Sequence, residues 1–188
     1  DYKFNRNDGE TLDFNAISNS FSIRNDSLSS TVNAKTSELY TYAGVTLNKS
    51  KYNFNIELGT MSLHNVNTSD YLNAATRLDK NFMLPKANVY GGYKFSKSKN
   101  LWFNYNLNYN LPSATQLLPI QNVSNPLNTI VGNSNLNINK NHSVYLSYRN
   151  FDYATRSGYG FYTGINYYEN QVTSKTIYDI NRKRTTTY

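Results

Sequence analysis

At 188 residues the chain is long enough to fold as one domain around a core of its own. It has no cysteine, which excludes a disulfide-stapled scaffold and a cysteine zinc site. Mean hydropathy is −0.66 and the net charge is +7, yet 15% of the residues are aromatic, 18 of them tyrosine, and disordered chains lack aromatics. Asparagine is the commonest residue. A strand with one apolar face and one Asn/Ser/Thr face averages to just such a polar composition.

In chain order, Asp1-Tyr2-Lys3-Phe4 already alternates and carries no signal-peptide pattern, so either a leader has been removed or the segment is internal to something longer. Asn5 to Glu10 resembles a calcium loop but fails as one. With Gly9 sixth, the ligand positions fall on Phe4, Arg6 and Asp8, so Asp8-Gly9 is read as a hairpin turn. Weaker strand signals cover Thr11–Ser18 and Phe21–Arg24. Strong ones cover Leu39–Asn48 and Tyr52–His64, joined by Lys49-Ser50-Lys51. Asn65–Lys86 reads as a long loop, with Asp70 able to cap a short helix carrying Leu72, Ala75 and Leu78.

The strand Ala87–Phe95 follows, then the turn Ser96–Asn100 and the clearest strand of all, Leu101–Asn110. There Leu101, Phe103, Tyr105, Leu107 and Tyr109 make one face and Trp102 with four asparagines the other. Leu111–Asn141, interrupted by Pro112, Pro119 and Pro126, is predicted irregular and extended. His142–Tyr148 and Tyr159–Tyr167 alternate again around the turn Asp152–Ser157, and weaker signals close the chain at Val172–Ile180 and Arg184–Tyr188. Glycines 44, 59, 91, 92, 160 and 164 fall inside strands, where each calls for bending or for the close approach of a neighbour.

No run approaches the ~18 apolar residues of a membrane helix. Strands of about 9–12 residues, with short turns alternating with long loops, match instead an antiparallel transmembrane β-barrel, all-β, of roughly eight to ten long strands with short periplasmic turns and long extracellular loops. A soluble β-sandwich also alternates, but its strands run nearer 5–6 residues.

From Phe82-Met83-Leu84-Pro85 onward the order of elements carries a resemblance. The strand to Phe95, Ser96-Lys97-Ser98-Lys99-Asn100, Leu111-Pro112-Ser113 and Gln116-Leu117-Leu118-Pro119 follow in turn. Next come Ser124-Asn125-Pro126-Leu127, then Val131-Gly132-Asn133-Ser134-Asn135-Leu136 before the strand at Val144. Over residues 82–180 this resembles the outer-membrane barrel family of Bacteroidetes-type bacteria, similar to TonB-dependent receptors. It departs from the usual Gly-Asn-Pro-x-Leu-Lys-Pro-Glu loop at Ser134 and at Asn137-Ile138-Asn139.

The resemblance implies nutrient uptake across the outer membrane of a Gram-negative bacterium. Residues 1–188 would then be part of one barrel domain, a fragment of a wall of about 22 strands. Its partners would be outer-membrane lipid and, outside this segment, a plug domain and an energy-coupling protein. A small complete barrel is the structural rival. Thr186, Arg184 and Arg182 before Tyr188 are the wrong neighbours for the aromatic end of such a barrel, so the end reads as cut. A soluble or surface-attached module binding carbohydrate on tyrosine-rich faces is the functional rival.

Chemistry is thinly advertised. His64 and His142 are far apart in sequence without acidic neighbours, and no Gly-x-Ser-x-Gly motif occurs, so no catalytic, metal or cofactor residue is nominated and the chain is read as not an enzyme. Lys49/Lys51, Lys94/Lys97/Lys99 and Arg182-Lys183-Arg184 form basic patches. The first two lie in or beside turns, where lysine is simply solvated, and no RNP1 pattern is present, so no nucleic-acid partner is expected. Ligand-binding residues, unknown individually, are expected on the long loops.

Overall fold

The alternation seen in the sequence is realised as strands in the computed structural model, which describes residues 2–10, 12–25, 29–71, 74–119, 121–122, 127–181 and 183–188. The first half of the chain contains β1 (Tyr2–Gly9), β2 (Leu12–Asn15), β3 (Ser20–Arg24), β4 (Ser30–Asn48), β5 (Tyr52–Tyr71) and β6 (Ala74–Lys94). Then follow β7 (Lys99–Asn110), a four-residue helix α1 (Ala114–Leu117), β8 (Gln121–Asn122) and β9 (Asn128–Val131). The last strands are β10 (Asn139–Asp152), β11 (Ser157–Glu169), β12 (Lys175–Tyr178) and β13 (Arg184–Thr187).

Seven of these strands make one sheet in the order β1-β4-β5-β6-β7-β10-β11, with every neighbouring pair antiparallel. The sheet is open among the described residues, so the fold is all-β and antiparallel without a closed barrel. Its three tight turns lie at one end and are stitched together. Lys94 N donates to Lys51 O (2.7 Å) and Phe151 N to Ser98 O (2.9 Å). An accessible surface of 12702 Å² exceeds the roughly 9,200 Å² that the size scaling gives a compact 21.6 kDa globule.

The far end departs from expectation. Residues 65–71 and 74–86, predicted as loop, continue β5 and β6, which stay in register from Tyr52↔Tyr93 out to Tyr71↔Ala74. Asp70, Ala75 and Leu78 are therefore strand residues, not a capped helix, and Leu72 lies outside the described residues. Polar composition misled here. Asn65 and Asn67 are almost fully buried; the Asn65 amide donates to Thr36 Oγ1 and the Asn67 amide to Asn65 Oδ1, while Asn67 Oδ1 is left without a partner among the described residues.

Asp8-Gly9 likewise is no hairpin turn, since the two residues pair with Thr31 and Ser30 inside the sheet. β12 and β13, from the weak C-terminal signals, pair with each other and with β9 in a separate four-stranded sheet instead of widening the main one.

β6 and β7 pair only between Asn88↔Asn106 and Lys94↔Asn100, so the far part of the β5–β6 hairpin separates from β7. The described residues of 111–119 and 127–138 contribute to covering the inside of that fork, through Leu111, Pro112 to Thr115 and Ile138. Leu111–Asn141 is thus less irregular than predicted. Its Ile138 joins Met61, Leu63 and Leu84 in the small buried core, with Phe82, Tyr109 and Leu111 packed against it. Helix α1 is held at its start by Gln116 Oε1, which accepts from Ser113 N (2.9 Å). At its end, Asn133 N donates to Gln116 O (2.6 Å). Only glycine suits position 132, because a β-carbon there would collide with the Leu118 carbonyl oxygen and lie 2.8 Å from that of Thr115.

Candidate functional site

Register carries each side chain to one of two unlike faces. The row Val45–Ile56–Val89–Tyr105–Val144–Ile165 crosses six strands on one face. One residue along, the row Gly44–Glu57–Asn88–Asn106–Ser143–Asn166 crosses the same strands on the other. A one-residue slip would exchange them.

The apolar face is open. Leu39 is 66% exposed, Val45 71%, Leu58 56% and Ile165 64%. A contiguous patch spanning six strands far exceeds the few hundred Å² a soluble monomer usually tolerates. Toward the tight turns it ends in the row Tyr52–Tyr93–Leu101–Tyr148–Phe161. There Tyr93 meets Phe95 edge-on at 4.8 Å and Tyr148 meets Tyr159 at 6.2 Å.

At the other border Tyr105 Oη lies 3.0 Å from His142 Nδ1, and the His142 ring sits 5.9 Å from that of Tyr167. Glu169 lies just beyond, 3.1 Å from Lys140 and 3.3 Å from His142. The hydrogen bond from Lys140 and its positive charge hold the Glu169 carboxyl below the ordinary range. From Tyr159 to Tyr167 the band measures eight steps of ~3.4 Å, about 27 Å along the strand.

The polar face is organised by hydrogen bonds. Asn55 (3.1 Å) and Asn88 (3.2 Å) donate to the two oxygens of Glu57, and the Asn106 amide donates to Asn104. Where the hairpin leaves β7, a cleft of about 520 Å³ opens, bordered by Glu38, Tyr40, Lys86, Ile138 and Asn141. Tyr40 donates to Glu38 (2.7 Å), which pairs with Lys3 (3.4 Å).

Lys86 reaches across β5 to lie 4.3 Å from the Tyr40 ring centroid and 5.7 Å from that of Tyr42. That reach crosses Gly59, which stands between Tyr42 and Lys86 in the pairing and which a larger residue would drive into the Thr41 carbonyl. Gly164, by contrast, meets only ordinary contacts, so not every strand glycine has a packing reason.

The sequence singled out no site residue, and the cleft was invisible to it because Lys3, Glu38, Tyr40 and Lys86 come from three strands, β1, β4 and β6. The histidines do have acidic partners: His64 lies 3.5 Å from Asp79 and His142 3.3 Å from Glu169. Both carboxylates come from neighbouring strands, which is why sequence proximity missed them. No group of three or more His, Cys, Asp or Glu suited to a metal ion occurs among the described residues. Of the basic patches, Lys49, Lys51, Lys94, Lys97 and Lys99 gather at the tight-turn end, Lys183 and Arg184 lie with the small sheet, and Arg182 is outside the described residues. Comparison with protein-family models, curated proteins and solved structures found no match to this chain.

Proposed function

We propose that the chain is part of the wall of a β-barrel in a Gram-negative outer membrane, serving uptake of a nutrient in the manner of a TonB-dependent receptor. The observation that carries this reading is the open apolar face, six strands wide and about 27 Å along the strand, bordered by aromatic rings and backed by an asparagine-rich face. Outer-membrane barrels carry an apolar band about 25 Å tall between aromatic girdles around a polar interior. Lipid then covers the row through Val45 and Ile165, and the polar face lines the lumen.

Barrels need at least eight strands, so the edges offered by β1 and β11 are paired by strands outside the seven. The tight turns face the periplasm, and helix α1, Ile138 and the β5–β6 extension stand outside. The role is binding and passage, not catalysis. A plug and an energy-coupling protein act from outside this segment, and the cleft at Lys86 is where the inner face meets incoming solute.

The test is fractionation of the source bacterium with an antibody raised against this segment. The expected result is a band several times heavier than 21.6 kDa in the detergent-resistant outer membrane. A band near that mass in the same fraction overturns the receptor reading and leaves a small barrel, while a soluble band overturns the membrane reading altogether.

A further inference from the structure

We propose that the tight-turn end of the sheet is a docking rim for the headgroups of anionic phospholipids. This rests on the membrane reading above and adds a lipid preference to it. Seven of the nineteen cations, Lys49, Lys51, Lys94, Lys97, Lys99, Arg149 and Arg156, lie in or beside the three turns. Only one of the twelve carboxylates, Asp152, is there with them. Six of the net seven positive charges therefore belong to this one end, and the rest of the molecule is almost neutral.

A lysine in a turn is ordinarily just solvated, and three unrelated turns would mean little. Here the turns are joined by the Lys94–Lys51 and Phe151–Ser98 backbone hydrogen bonds, so the cations form one continuous edge. All seven side chains are exposed, and among the described residues none is within 4.0 Å of a carboxylate. Charge left unpaired in this way awaits a counter-charge from outside the chain.

The kind of counter-charge follows from what adjoins the rim. The row Tyr52–Tyr93–Leu101–Tyr148–Phe161 separates it from the open apolar face, so the turn cations sit where an apolar surface gives way to water, with Lys94 and Arg149 at the register of the polar face. Tyrosine rings at that depth, with cations just beyond them, suit phosphodiesters over acyl chains. A nucleic acid or acidic peptide would satisfy the charge but leave the adjoining apolar band uncovered.

The experiment uses the full-length polypeptide that contains this segment, refolded with a mixture of two differently dyed vesicle populations, one of phosphatidylcholine alone and one containing 30% phosphatidylglycerol. Flotation reads the partition between them, and protease protection reads insertion. The wild type should favour the anionic vesicles strongly in 50 mM salt and weakly in 500 mM. Each rim lysine removed should cost roughly fivefold in that preference. The triple variant Lys51→Gln/Lys97→Gln/Lys99→Gln should therefore lose on the order of a hundredfold while still inserting into phosphatidylcholine. The matched triple Lys35→Gln/Lys175→Gln/Lys183→Gln, with the same net charge, should keep the preference.

Insertion without any preference, or equal losses in the two triples, overturns the rim and leaves the barrel standing. A full-length polypeptide protected in neither kind of vesicle overturns the membrane reading and the rim with it.

Discussion

The two ends of the β5–β6 hairpin bury opposite things. Near the tight turns, Phe54, Ile56 and Leu58 belong to the open apolar face while Asn55, 4% exposed, is enclosed on the other. Farther out, Met61, Leu63, Asn65 and Asn67 are buried on that same second face, now under described residues of 111–119 and 127–138, and the first face turns largely polar, with Asn81 and Asp79 opposite His64 and Val66. One hairpin thus obeys two solvents. Where no protein covers it, the apolar side is left bare. Where a loop covers it, the chain buries apolar side chains together with asparagines whose amides are hydrogen-bonded.

Adjacent substitutions on β10 are the strongest way to break this comparison. Val144→Lys puts a charge in the bare apolar row, and Ser143→Lys puts one beside Asn106 and Asn166. If lipid covers the first row, Val144→Lys costs about 2–4 kcal/mol, and Ser143→Lys close to nothing. Urea titration of the full-length polypeptide folded in lipid vesicles measures both, and equal costs would sink the two-solvent account. At the far end the expected effect is smaller and local. Gly132→Val forces the β-carbon collision with Leu118, a case of overpacking costing about 1–3 kcal/mol. Hydrogen exchange should show protection lost around Leu117 and Leu118 with β10 unaffected, whereas loss spread over the sheet would mean that the two ends are not separable.

What the sequence revealed follows the same division. Within the band, a period of two with leucine, phenylalanine and tyrosine opposite asparagine marks each strand and its faces, and the three turns at Lys49–Lys51, Ser96–Ser98 and Tyr153–Arg156 are legible from composition. Beyond the band the signal fades because Asn65, Asn67 and Ser69 are polar on the very face that is buried. Their strand state depends on cross-strand partners such as Thr36, far away in sequence. The cleft was illegible for the same reason, since Lys86 meets Tyr40 and Tyr42 only through the pairing of three strands. β12 and β13 were visible as strands, but nothing local says which sheet they join.

The smallest effect separates the turn itself from the charge around it. Asp152, the only carboxylate among the rim cations, accepts from Ala154 N at 2.8 Å. That backbone bond, followed by one from the Thr155 side chain, holds its pKa below the ordinary 3.8. A carboxyl depressed in the folded state contributes stability that is present above the ordinary value and is lost as the pH falls through the lower, folded one. Exchange of the Ala154 amide should therefore be slow and flat with pH down to about 4, beyond the intrinsic pH trend, and quicken below it. Asp152→Asn keeps an oxygen for Ala154 and should remove the acid step while leaving the turn formed. Because the hydrogen bonds that depress Asp152 come from the turn and not from Lys97 or Arg156, 500 mM salt should leave this step where it is. A step that moved with salt would mean that Asp152 answers to the rim cations, and the charge available to lipid headgroups would shrink accordingly.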